Sequence, residues 1–178
     1  MKYPARSLGI MAKSDSFFIR ATVTSAGGNF AQTEIPLGSY VDALGKSVLR
    51  IHNIAVQTYP TVIGQDWVVP TNTQTNLSYQ LTTQSQTALV DATNKSVVAC
   101  GRLDIANDGS GTGYTFLSQD SDILPQMWEN GYLIAVEELY LGGDADAQMA
   151  TGTVTIVMEC TVETLSQNAA MALALSQQ

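Results

Sequence analysis

Side chains that carry chemistry are scarce in this chain. Of its 178 residues only 13% are charged, histidine occurs once (His52) and cysteine twice (Cys100 and Cys160). Two cysteines outside any C-x-x-C pair do not compose a metal site. Both lie in apolar alternation, so small buried thiols are expected, with a disulfide between neighbouring strands as the alternative. A lone histidine with no second histidine and no acid pair nearby is a poor ligand or general base. No Ser/His/Asp or Cys/His arrangement emerges, so no catalytic residue, metal or cofactor is expected and the chain is not read as an enzyme. Long apolar runs are also missing. None approaches the roughly 20 residues that cross a bilayer, and residues 1–15 have no continuous apolar core of a signal peptide, so neither a transmembrane segment nor a leader is expected.

Charge is unevenly spread. Lys2, Arg6, Lys13 and Arg20 face one acid, Asp15, in the first twenty residues, whereas the rest of the chain holds four bases and fifteen acids. The chain therefore reads as a basic N-terminal end on an acidic body. Lys2, Arg6 and Lys13 offer weak, salt-sensitive contact with nucleic acid or anionic lipid; the alternative is an ordinary solvated terminus.

What is abundant is β-branched and neutral polar residues, and the dominant pattern is period two. Residues 151–165 place Val154, Ile156, Met158, Cys160 and Val162 at every second position against Thr153, Thr155, Val157, Glu159, Thr161 and Glu163. That is a long strand buried on one face, which needs an apolar sheet opposite it. Further strands are expected at 16–25, 31–37, 47–59, 77–81 and 96–105, a short edge segment at 87–91, and a return strand from Tyr114 to Leu117. Ile51 and Ile54 differ in parity, so a bulge is expected around His52 and Asn53, and Gly101 marks a second bulge or a close backbone approach. Residues 39–45 read as one helical turn, with Ser39 as N-cap and Gly45 as stop.

Several stretches admit more than one reading. Residues 107–113 carry Asp-Gly and paired glycines, a hairpin signal. They lack the Gly-Lys-Ser/Thr of a phosphate loop, and Asp104, Asp108, Asp120 and Asp122 do not fall into a calcium-loop pattern. Residues 118–131 form an excursion in which Pro125, Met127 and Trp128 cap one end. Residues 132–141 are taken as one strand, on which Glu137 and Glu138 point to opposite faces and cannot act as a glycosidase pair. Residues 142–146 read as a turn whose Asp144 and Asp146 are surface acids rather than cation ligands. The tail 166–178 has helical propensity and either packs against a neighbour or frays.

About eight strands separated by short turns and two longer excursions match an all-β fold, an eight-stranded antiparallel jelly-roll β-sandwich of two four-stranded sheets. An immunoglobulin-like sandwich is disfavoured by the missing Cys…Trp…Cys order. The division expected is an arm at 1–15, the jelly roll at 16–165 and a tail at 166–178.

The basic-leaning arm, IPLGSYVDALGKSVLRIHNIAVQ at 35–57, NGYLIAVEELYLGG at 130–143 and GTVTIVMECTVETL at 152–165 together resemble the small single-jelly-roll capsid (coat) proteins of icosahedral viruses. The resemblance implies a viral structural protein whose partner is itself, a homo-oligomer that self-assembles into the capsid of a virion after synthesis in the host cytoplasm. Other capsid proteins are further partners it allows. The arm is far less basic than in many such proteins, so a shell over an inner membrane or another protein layer is an alternative to direct genome packaging. Trp67, Trp128, Tyr132 and Tyr140 are candidate interface anchors, or else core residues. A second function class is a carbohydrate- or ligand-binding β-sandwich module, adhesin-like, in which exposed Trp and Tyr stack on sugars.

Overall fold

The computed structural model describes residues 14–42, 46–109 and 115–178, with side chains from residue 117 onward in the last stretch. The expectations for Lys2, Arg6 and Lys13, for the turn's end at 43–45 and for Tyr114 lie outside the described residues. The strand read at 151–165 is β9, Thr151–Thr164. Its alternation puts Val154, Ile156, Met158 and Cys160 at 0–1% exposure, each contributing about 1.5–3 kcal/mol by leaving water. It pairs antiparallel on one side with β1 (Phe17–Ala26) and on the other with β3 (Ser47–Tyr59), which also holds the three-residue strand Tyr132–Ile134. Facing this sheet are β2 (Asn29–Pro36), β4 (Thr73–Thr82), β5 (Val97–Asn107) and β6 (Thr115–Ile123), so Tyr132–Ile134 is β7, and β8 is Glu138–Ala145.

The sheet orders are β1-β9-β3-β7 and β2-β8-β4-β5-β6. The chain passes back and forth between the two sheets, and every pairing is antiparallel, which is the jelly-roll arrangement of two interlocked Greek keys. One continuous core joins both inner faces, from Leu49, Ile51 and Ile156 on one side to Leu77, Leu103 and Leu141 on the other. Nine strands are found among the described residues rather than eight, because residues 132–141 supply two strands, β7 and β8; the expected return strand at 114–117 is β6, which runs on to Ile123, and the second sheet has five members rather than four.

Both expected irregularities are present. The β3–β9 register shifts between Ile51 and Asn53, and the β5–β6 register shifts between Cys100 and Gly101. Gly101 is also a close approach, since a Cβ there would lie 2.3 Å from the Tyr79 hydroxyl. β5 and β6 pair antiparallel from Asn107 opposite Thr115, so the two strands return on one another as expected, and residues 110–114 of the turn lie outside the described residues.

Four expectations need correction. Residues 132–141 are not one strand: β7 lies in the first sheet and β8 in the second, and residues 135–137 carry the chain between them. Gly142 and Gly143 do not turn but belong to β8, where neighbours crowd both of its faces: a Cβ on Gly142 would stand 2.7 Å from the Phe30 ring of β2, and one on Gly143 3.1 Å from Val23 of β1. Residues 87–91 form no strand, and the side-chain amide of Gln80 holds them, donating to the Ala88 carbonyl (3.1 Å) and accepting from the Val90 N–H (2.8 Å). The turn expected at Ser39 closes instead on Leu37, whose carbonyl accepts from the Tyr40 and Val41 N–H groups. The tail forms helix α1, Gln167–Ser176, with Ser166 as N-cap, and buries Ala170 and Ala174 against Val48 and Ala135 of its own body.

Candidate functional site

The outer face of the first sheet is a polar ladder built by β-branched pairing. The hydroxyls of Thr22 and Thr155 meet at 2.9 Å, those of Thr24 and Thr153 at 3.0 Å, and His52 Nε2 lies 2.9 Å from the Thr161 hydroxyl. His52 is thus part of a strand-surface network. The same outer face also carries Arg20 on β1 and Glu159 on β9, so neutral hydroxyl pairs and single charges share it.

At the end of the sandwich where β7 and α1 meet, fixed polar groups build a cleft of about 450 Å³. Arg50 on β3 donates two hydrogen bonds to Glu163 on β9, at 2.7 and 2.8 Å, and a third to the Asn130 carbonyl. This pair is 16% and 7% exposed, and it ties the short 3-10 turn Pro125–Met127 and its following loop to the sheet. Gln126 joins the same turn to β3 through both its amide oxygen and nitrogen, bonding the Ile54 N–H and carbonyl at 3.1 Å each. Gln177, just past α1, accepts from the Ala135 N–H (2.9 Å) and donates to the Leu133 carbonyl (2.7 Å). The amide thereby does for the free edge of β7 what a further strand would do. Thr83 then donates to the Gln177 carbonyl at 2.7 Å.

Trp128, Tyr132, Leu133, Leu173 and Lys95 line the cleft. Trp128 is 53% exposed. Tyr132 is half-buried against the main core, and that burial raises its hydroxyl pKa although a hydrogen bond with Gln177 opposes the shift. Of the four candidate anchors, Trp128 and Tyr132 share this cleft. Trp67 packs half-buried against the core, in the loop after β3. Tyr140, on β8, donates to Glu138, which with burial and the Glu34 charge pushes its pKa up to about 12.

Among the described residues the acids named from the sequence, the adjacent Glu137 and Glu138 aside, stand apart from one another. Glu137 and Glu138 are both exposed, at the approach to β8 and its first residue. Asp104 pairs with Arg102 at 2.6 Å, Asp120 accepts from Ser118 at 3.0 Å, and Asp146 accepts from the Gln148 N–H at 2.8 Å. Among the described residues no three His, Cys, Asp or Glu side chains group to hold a metal, and no helix is long and apolar enough to cross a membrane. Cys100 and Cys160 are free, on opposite sheets. Burial raises both thiols, that of Cys160 to about 12 with the Glu159 charge adding to the effect. Sequence reasoning missed Gln80, Gln126, Gln177 and the Arg50–Glu163 pair. A glutamine amide has no spacing signature, and the ion pair joins residues 113 positions apart.

Together these features define an all-β jelly-roll sandwich whose described surface has polar ladders and one aromatic cleft. No protein-family model matches the chain, and no curated protein matches it. Among solved structures, a chain of turnip yellow mosaic virus is similar over 85% of this chain and 82% of that one, at 13% identity and a TM-score of 0.32.

Proposed function

We propose that the protein is a structural tile that self-assembles into an icosahedral viral capsid, with no catalytic residue and no cofactor. One observation carries this reading: the exposed large apolar side chains are dispersed around the tile rather than gathered in one cleft. Phe18 (54%) stands on β1, an edge of the first sheet, and Val62, Ile63 and Val68 (54–87%) on the loop after β3. Leu117 (59%) stands on β6, the outer edge of the second sheet, Trp128 at the cleft, and Leu175 (67%) on α1. A tile meets neighbours on several sides, and such exposed apolar groups are what those contacts bury. The threonine end of the first sheet's outer face, Thr22, Thr24, Thr153 and Thr155, adds neutral surface whose burial desolvates no charge.

Ser14, the first described residue, lies beside β9, where its N–H donates to the Val162 carbonyl at 3.1 Å. In this reading Lys2, Arg6 and Lys13 make weak contact with nucleic acid or an inner membrane, and the protein resides in the virion, with itself and other capsid proteins as partners. The second reading, a carbohydrate- or ligand-binding module, has the Trp128–Tyr132 cleft in its favour. Charged substitutions made one face at a time, Phe18→Asp, Ile63→Asp and Leu117→Asp, separate the two. A tile loses closed particles with each, seen by electron microscopy, while the fold is kept. A protein that binds a glycan on an array and never forms particles refutes the tile.

A further inference from the structure

Helix α1 is apolar on two opposite sides. Ala170 and Ala174 face the body. The outward stripe Met171, Ala172 and Leu175 recurs at helical spacing, with Asn168 at its polar N-terminal end and Met171 43% and Leu175 67% exposed. The helix contains no charged residue. A helix with apolar residues on two opposite sides ordinarily has both covered, and here only one side is. The uncovered surface continues through Leu173 into the cleft beside Trp128.

We infer that a second copy of this chain covers it, α1 docking against α1 about a two-fold axis with Trp128 at the margin. The inference rests on the assembly reading and names one of its contacts. Charge selects the occupant. The chain carries a net −8, so two copies repel wherever their acids approach, and an uncharged helix is where they meet without burying like charges. The margin is self-complementary as well. Lys95 at the cleft and Glu129 next to Trp128 are both exposed, and neither forms an ion pair with a described residue. A two-fold contact sets each against the other's counterpart twice, Lys95 of one copy opposite Glu129 of the second. A lipid surface is the weaker candidate, because a helix that lies on membranes carries Lys or Arg on its polar face and α1 has none.

The test uses the full chain in sedimentation velocity over a concentration series, with circular-dichroism melting as the folding control. Leu175→Glu is expected to raise the dimer dissociation constant about 100-fold with melting unchanged. Lys95→Glu and Glu129→Lys are each expected to weaken it about tenfold, and the double exchange to recover most of the loss. Met171→Lys replaces Leu175→Glu if that variant misfolds. Self-association unchanged in folded Leu175→Glu, or no recovery in the double exchange, overturns the inference. Particles that form equally well in Leu175→Glu overturn it while leaving the assembly reading intact; a wild type that is monomeric throughout overturns both. Wild type that stays monomeric yet sediments with phosphatidylcholine–phosphatidylglycerol vesicles, and loses that with Leu175→Glu, also overturns it.

Discussion

Replacing Gln177 by alanine removes a side chain that is 3% exposed and that completes the edge of β7. Two backbone groups lose their partners: the Ala135 N–H, in a residue with 0% exposure, and the Leu133 carbonyl. Leaving a buried donor or acceptor unmade costs about 1–3 kcal/mol each, so the variant is expected to be less stable by about 2–5 kcal/mol. In a protein of this size that lowers the melting temperature by about 5–15 °C. Urea unfolding followed by circular dichroism, with the slope checked for constancy, measures it. Gln177→Glu is the control: it keeps the acceptor for Ala135, loses the donor for Leu133 and brings a charge into the site, so it too is destabilised. A Gln177→Ala variant within about 0.5 kcal/mol of wild type refutes the claim that this amide substitutes for a strand.

Three further outcomes follow from the same geometry. Glu163→Ala strands the Arg50 guanidinium, and a loss of about 3 kcal/mol in urea unfolding is expected; Arg50→Met with Glu163→Leu recovers much of it. At pH 8 native Cys160, with its pKa pushed up to about 12 and no exposed surface, is expected not to react with a thiol reagent, whereas denatured protein reacts at both cysteines. Glu138→Gln removes the carboxylate that keeps Tyr140 protonated, so the Tyr140 pKa falls from about 12 toward the ordinary value of 10.0 in an ultraviolet titration.

The elements legible in the sequence are those whose pattern is local. β9 alternates without a break, and the parity change between Ile51 and Ile54 reveals the β3 bulge before any partner strand is known. What was not legible depends on contacts distant in sequence. Tyr132 to Leu141 is apolar enough to read as one strand, and only the two-sheet topology shows that residues 135–137 must carry the chain across. Gly142 and Gly143 carry the signature of a turn, yet side chains on other strands, Phe30 against Gly142 and Val23 against Gly143, are what favour them. The aromatic anchors were ambiguous for a related reason: nothing adjacent to Trp67 or Trp128 says that the first packs against the core and the second stands half in solvent. Glutamines 80, 126 and 177 were invisible because a neutral amide at the end of a helix or within a strand becomes structural only when a free backbone edge lies opposite it.

The central claim is that this sandwich is a tile. The mass of the purified protein, followed by light scattering as salt and protein concentration are raised, tests it most directly. Discrete oligomers that grow into closed particles of uniform mass are the predicted result; a single species at 19.0 kDa under every condition contradicts it.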